Sequence, residues 1–308
     1  MKVSICIITF LRPDGLKRLL IGIANQKFKQ IPMPNLEVIV VDNDVKQSAQ
    51  PIIQQMGGHF PCCLRYDVEE QRGIPFARNR SVANASDDTD FIAFIDDDEV
   101  PDAMWLERLL LAQQSYQADA VVGPVLPKFS HRVHDWIQNG KFFERPRHPS
   151  GFELSAAATN NTLVKAEILR RLDFVFDERM ALTGGSDWHL FRRLYGLGHK
   201  LVWADDALVY EWIPESRTNL RWILQRGYRC GNTEALCEMN LNPSVAVLLM
   251  FIFKGGRRIV RGLLLVPLSY VRGKHIFFKN LKYISHSFGI ISGVLGTSYE
   301  EYQVIHRT

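Results

Sequence analysis

Phe91-Ile92-Ala93-Phe94-Ile95-Asp96-Asp97-Asp98-Glu99-Val100-Pro101 changes character abruptly: five apolar residues run straight into four carboxylates. An apolar run this short, made of aromatic and β-branched residues, predicts a strand buried on both faces. Ligands of open α/β sheets collect outside the C-terminal ends of such strands, which is where these acids fall. Crowded carboxylates repel one another. A divalent cation, which takes oxygen ligands, relieves that repulsion; a solvated acidic turn is the alternative.

The residues upstream supply the rest of a sheet. Lys2 to Thr9 and Leu36 to Val41 are β-branched runs, the second ending in Asp42-Asn43-Asp44, and Leu64 to Val68 is a third. Between them, apolar residues at Leu16, Leu19, Leu20 and Ile23 keep the 3.6 period of a helix, and further helices are expected over Ala49 to Met56 and Phe76 to Ala85. Strand and helix alternate through about a hundred residues, which predicts an α/β fold with a doubly wound, mostly parallel sheet and helices on both faces. Thr9, Asp42 and Asp96 then share one sheet edge. Carboxylates there suit a nucleotide sugar, because they accept from a ribose diol or a uracil N–H while a metal neutralises the diphosphate. Neither a Rossmann fingerprint nor a P-loop occurs, which argues against dinucleotide and ATP sites of the usual kinds.

Charge divides the chain. From Ile213 onward thirteen basic residues face five acidic ones, a balance of +8, against −4 for the first 212. A basic, apolar tail points to an anionic surface such as lipid head groups or phosphate. No nucleic-acid partner is expected. Five cysteines, odd in number and without metal-ligand spacing, point to reduced thiols in the cytosol. The chain enters its first strand at once, so no signal peptide is expected.

Four segments, VSICIITFLRP, VIVVDND, QRGIPFARNRSVANA and FIAFIDDDEVP, followed by Gly184-Gly185-Ser186-Asp187, together resemble the family 2 glycosyltransferases of the GT-A fold. The likeness covers about residues 1–212. The tail, including TNLRWILQRGYRCGNTE, is similar to a narrower branch, the bacterial glucosyltransferases of succinoglycan-type exopolysaccharide assembly. The resemblance implies two parts: a nucleotide-sugar-binding and catalytic domain over 1–212 and a helical tail over 213–308. It implies an inverting transfer of a sugar, glucose by the narrower likeness, from a UDP-sugar to a lipid-linked or oligosaccharide acceptor, with Mn²⁺ or Mg²⁺ as cofactor.

Residue by residue, the resemblance implies that Asp42 contacts the base and that Thr9 lines the same pocket. Arg78, in the Arg78-Asn79 pair, holds a base or phosphate edge. Asp96 and Asp98 are the DXD pair, Asp96 toward the ribose and Asp98 toward the metal, with Asp97 pointing to solvent or supporting the loop. Asn160 and Asn161 are candidates for the sugar pocket. Asp187 is the general base, which takes the proton of the acceptor hydroxyl; capping the following helix is the other role open to it. Gln225-Arg226-Gly227-Tyr228-Arg229-Cys230 is close to the Gln-X-X-Arg-Trp motif of processive members, with cysteine in place of tryptophan, which counts against processive synthesis. Arg226 and Arg229 are expected to face the leaving diphosphate. For Glu211 a contact to metal or acceptor is one reading, and an ordinary strand residue is the favoured one.

Asp119 to Leu126 is expected to be one strand with a Gly-Pro break, and Lys128 to Pro149 a mobile, substrate-facing loop. Ser244 to Phe253 and Gly262 to Val271 are each about half the roughly 20 residues a membrane span needs. They are separated by Lys254, Arg257, Arg258 and Arg261, so two interfacial helices are expected on the cytoplasmic face of the inner membrane. A homo-oligomer is compatible with the same apolar surface. Two other functions fit the early sheet less well: a nucleotidyltransferase, which needs a Gly-rich basic loop where Phe10-Leu11-Arg12-Pro13 stands, and a non-catalytic nucleotide-sugar-binding scaffold.

Overall fold

The structure is a computed structural model that describes residues 1–181, 183–297 and 299. Glu300, Glu301 and Arg307 of the basic tail lie outside the described residues, as does Leu182 before the Gly184–Asp187 turn. The chain begins with β1 (Lys2–Thr9), α1 (Pro13–Ala24), β2 (Asn35–Asp42), α2 (Gln50–Gly57), β3 (Cys63–Val68), α3 (Ile74–Ala83) and β4 (Phe91–Phe94). It continues through β5 (Glu99–Pro101), α4 (Trp105–Tyr116), β6 (Ala120–Val122), β7 (Val125–Phe129), α5 (Asp135–Gly140), β8 (Thr162–Lys165) and α6 (Ala166–Arg170). It closes with α7 (Ser186–Gly196), β9 (Leu201–Trp203), β10 (Val209–Ile213) and three long helices, α8 (Leu220–Leu241), α9 (Val245–Val271) and α10 (Lys274–Val294).

A seven-stranded sheet in the order β3-β2-β1-β4-β8-β6-β9 is parallel except at β8, which runs antiparallel to both neighbours. Alternate side chains of each strand feed two separate cores. Val3, Ile5 and Ile7 of β1 pack with Leu16, Leu19 and Leu20 of α1 and Trp105 of α4. Cys6 turns the other way, with Ile39, Val41, Ala77 of α3 and Leu190 of α7. The expected strand with acids at its end is β4, but it stops at Phe94 and Glu99 already belongs to β5. That strand pairs with β10, and β10 with β7, in a second, three-stranded sheet.

The expected single strand over Asp119 to Leu126 is two. β6 stays in the large sheet, and the chain crosses at Gly123-Pro124 into β7 of the small one. The crossing is tight, since a Cβ on Gly123 would sit 2.5 Å from Asn161 Nδ2. The Asn161 amide fills that space, donating to Pro124 O at 2.9 Å and Ala207 O at 2.7 Å, while its Oδ1 accepts from Trp105 Nε1 at 2.7 Å. Asn161 is therefore scaffolding that joins the two sheets, not part of a sugar pocket.

The segment expected to be a mobile loop holds α5 and is tied down by aromatics. Val133, Ile137 and Phe142 bury against Trp222 and Ile223 of α8, and Trp136 meets Phe278 of α10 edge-on at 4.7 Å. In the tail, α8 and α10 approach closely because glycines of each face the other's backbone: a Cβ on Gly231 would strike His286 O, and one on Gly289 would strike Tyr228 O. The two apolar runs expected as separate helices form one helix, α9. Gly255-Gly256 and the charged residues between the runs do not interrupt it, because Gly255 and Gly262 turn their bare faces to Ile291 and Ile284 of α10. Among the described residues no helix is long and apolar enough to cross a membrane.

Candidate active site

Parallel pairing puts Thr9 beside Asp42 at the ends of β1 and β2, and Cys6 beside Phe94 two residues before the acids. The strand ends thus meet at one edge, and a cleft of about 440 Å³ opens there, within the size range of small-ligand sites. Thr9, Arg78, Asp96, Asp98, Asn160, Asp187, Arg226 and Arg229 all line it. Asp42 does not. Its fully buried carboxylate accepts from Asp44 N at 3.1 Å, Ala49 N at 2.8 Å and the Tyr66 hydroxyl at 3.1 Å. A strand-end aspartate readily takes the N–H groups of the turn that follows it; Asn43 lines the cleft in its place.

The acid run splits by direction. Asp97 points inward, 5% exposed, accepting from Thr9 Oγ1 at 2.8 Å and Arg12 Nη1 at 2.9 Å. Of its two expected roles it therefore takes the second, support of the loop. Burial pushes its carboxyl up to about 6, with Arg12 opposing. Asp98 Oδ2 accepts from Arg12 Nη1 at 3.0 Å and Arg217 Nη1 at 3.3 Å. Asp96 keeps 35% of its side chain open to the cleft and accepts from Arg78 Nη2 at 3.1 Å. Enclosure raises the Asp96 carboxyl above the usual range; Arg78 pulls it back, and Asp98 and Asp187 push it further. Arg78, itself 6% exposed, lies over the Phe176 ring, so its guanidinium is aimed rather than free to sweep.

Asp187 lines the same cleft from the start of α7. The chain reaches it through Gly184 and Gly185, both with positive φ, and Gly185 rather than Asp187 occupies the cap position of α7. Gly185 thus holds the cap position, and Asp187 Oδ1 accepts the N–H of the adjacent Trp188 at 2.8 Å. A carboxylate in the first turn also sits well with the helix dipole.

Other residues complete the cleft. Glu211, for which the less favoured of two expectations was a contact to metal or acceptor, is 9% exposed and lines the cleft, paired with Arg217 at 3.4 Å and Arg145 at 3.6 Å. Arg145 also donates to Asn160 Oδ1 at 3.0 Å, and Asn160 Nδ2 donates to Glu99 Oε1 at 3.0 Å. Arg226 rests over Trp222 at 5.1 Å. Arg12 was legible only as the first charge after β1. Arg145 and Arg217 carry no local signal, since long-range packing alone brings them in.

Among the described residues no three or more His, Cys, Asp or Glu side chains are grouped to hold a metal ion. The residues present still fit one kind of cation. Mg²⁺ is commonly held by one or two carboxylates, with substrate phosphates and water completing its shell. Asp98 and Asp96 are hard oxygen donors lining a cleft that also carries arginines, a donor set of that kind.

Residues 4–173 match the profile described as glycosyl transferase family 2. The chain belongs to glycosyl transferase family 2. It is similar to the succinoglycan biosynthesis protein ExoM of Rhizobium meliloti, with 31% identity over 198 residues, 64% of this chain and 63% of ExoM, so the match spans less than two thirds of that relative. It is similar also to the glycosyltransferase AglE of Haloferax volcanii, 24% identical over 67% of this chain and 65% of AglE. In fold it matches S. aureus TarS 1-349 in complex with UDP at a TM-score of 0.55, with 15% identity over 97% of this chain and 93% of that one. The complex with UDP-GlcNAc gives 0.56 and 16% over the same shares. The architecture is thus of the GT-A type expected from the sequence.

Proposed function

We propose that this family 2 glycosyltransferase moves a sugar, glucose by its succinoglycan-type likeness, from a UDP-sugar to a hydroxyl of a lipid-linked or oligosaccharide acceptor in cell-surface polysaccharide assembly. The carrying observation is that Asp96, Asp98 and Asp187, supplied by the segment between β4 and β5 and by the start of α7, line one cleft. Binding and proton transfer can therefore be divided between them.

In this reading Thr9, Asn43 and Arg78 border the nucleoside, with Asp42 acting from behind the wall by fixing the turn that carries Asn43. Asp96 accepts from the ribose diol. Asp98, with Asp96, would hold Mn²⁺ or Mg²⁺, which when bound neutralises the diphosphate as it departs. Asp187 takes the acceptor proton while that oxygen forms its bond to the anomeric carbon, and the bond from that carbon to the diphosphate oxygen breaks on the opposite face, inverting the centre. Arg226 and Arg229 meet the negative charge released.

The same reading places the enzyme on the cytoplasmic face of a membrane. α9 turns Phe253, Leu264 and Val271 outward, 70%, 75% and 83% exposed, with Arg257 and Arg261 also exposed between them. From Val245 to Val294 there are eight Lys or Arg and no Asp or Glu. An apolar stripe with interleaved cations suits the interface of an anionic leaflet.

The test is a screen of nucleotide sugars with membrane extracts containing lipid-linked glycans, with and without Mn²⁺ or Mg²⁺. Metal-dependent transfer from a UDP-sugar is expected. Transfer undiminished in chelator contradicts the role given to Asp98.

A further inference from the structure

Asp98 is already neutralised from two sides. Its carboxylate is 7% exposed, and one oxygen, Oδ2, takes both Arg12 Nη1 at 3.0 Å and Arg217 Nη1 at 3.3 Å. The two arginines are not equivalent. Arg12 is also tied to Asp97 at 2.9 Å, within the floor of the cleft. Arg217 reaches Asp98 and Glu211 through a single nitrogen, at 3.3 and 3.4 Å, both long for charged hydrogen bonds. Its Nε is buried and has no acceptor among the described residues. A guanidinium offers five N–H donors in a rigid fork, so Arg217 is poorly satisfied where it stands. It sits on the short 3₁₀ turn Glu215–Arg217 between β10 and α8, beside Trp222, and lines the cleft.

We propose that Arg217 exchanges partners on donor binding: in the donor-free enzyme it is the counter-ion of Asp98, and when a nucleoside diphosphate sugar enters it turns its fork onto the diphosphate and releases Asp98 to the divalent cation. The proposal rests on the nucleotide-sugar reading of the cleft. A diphosphate supplies what Arg217 lacks, paired acceptors that match its fork and an oxygen for Nε. Glu211 is the pivot, since it holds the same guanidinium nitrogen at the edge of its reach. The exchange also sets an order. A cation approaching Asp98 alone meets two guanidinium charges within hydrogen-bond distance of the same carboxylate and is repelled. It therefore enters with the donor rather than before it. Arg217 lies beyond residues 4–173, the part matched to the family profile, so the segment that joins catalytic sheet and tail supplies the clamp.

Calorimetry with UDP plus Mn²⁺, and electron paramagnetic resonance of Mn²⁺ alone, on wild type, Arg217→Gln and Arg217→Lys test this. For Arg217→Gln, UDP–Mn²⁺ affinity is expected to fall roughly 10- to 100-fold, the value of a charge-assisted contact, while Mn²⁺ alone binds about tenfold or more tighter than to wild type. Arg217→Lys keeps the charge without the fork. It should leave Mn²⁺ binding weak and recover only part of the UDP affinity, which separates loss of the clamp from loss of the fold. Unchanged UDP affinity in Arg217→Gln, or Mn²⁺ binding no tighter than wild type, overturns the exchange. Wild-type protein that binds no UDP at all overturns the donor reading beneath it, and that result appears in a different arm.

Discussion

Glu99 and Glu211 stand directly opposite each other in the antiparallel pair of β5 and β10. Like charges in that position destabilise a sheet. Burial drives the Glu99 carboxyl well above its ordinary range, and Asp96, Asp98 and Glu211 reinforce the shift. Its oxygens are nonetheless engaged, accepting from Asp96 N and Asn160 Nδ2, both at 3.0 Å. Glu99→Gln keeps one acceptor but turns its NH₂ toward the second donor, so urea denaturation should place it roughly 1 kcal/mol below wild type. Glu99→Ala strands both donors and should cost roughly 2–3 kcal/mol.

In the proposed mechanism Asp187 acts as the base and takes no part in donor binding. Asp187→Asn should leave UDP affinity within about twofold while turnover falls about 10²- to 10⁴-fold, the usual contribution of a positioned base. Wild-type turnover in this variant would move the proton transfer to another group.

The face of α9 gives a membrane prediction separate from the chemistry. Arg257→Glu with Arg261→Glu should reduce partition onto phosphatidylserine vesicles by about tenfold or more at low salt, since each cation near such a surface contributes about 1 kcal/mol. The loss should shrink as salt rises. Equal partition of variant and wild type would show that α9 meets something other than an anionic leaflet.

Away from the cleft, Asp67 accepts from Arg80 Nε at 2.6 Å and Nη2 at 2.9 Å and from Asn84 Nδ2 at 2.7 Å. These bonds tie β3 to the helix that carries Arg78. The Arg80 contact, aided by Asn84, holds the Asp67 carboxyl well below its ordinary value, at about 2. A depressed folded-state value stabilises the protein above the unfolded value near 4 and is lost as pH falls toward 2. Asp67→Asn should therefore cost roughly 1 kcal/mol at neutral pH, after allowance for solvent screening. The difference should close between about pH 4 and pH 2 in denaturation curves.

The order of strands and helices through β4 was legible because each strand there is a β-branched run and each helix keeps its apolar period. Most of the expected cleft residues could be placed for the same reason: Thr9, Asp96 and Asp98 follow directly from where strands end. Asp42 shows the limit of that logic. A strand-end carboxylate can be consumed by its own turn, and only the positions of Ala49 and Tyr66 reveal it. Asn160 and Asn161 are adjacent and chemically identical, yet one lines the cleft and the other, at φ 65°, braces the two sheets. The second sheet was not foreseen, because β5 and β10 pair over more than a hundred residues and β5 is three residues long. Glu211, Arg145 and Arg217 depend on that sheet and on the packing of α5 and α8. In α9 the charges that separate the apolar runs in sequence do not separate them in space, since a helix tolerates Gly255-Gly256 when a neighbour fills the groove.

The most direct measurement is an anomalous difference map from crystals of the chain grown with UDP and Mn²⁺. A manganese peak is expected within coordination distance of the Asp98 carboxylate, beside a diphosphate in the cleft, with the nucleoside toward Thr9 and Arg78. UDP bound elsewhere, or a diphosphate in the cleft with the manganese remote from Asp96 and Asp98, would contradict it.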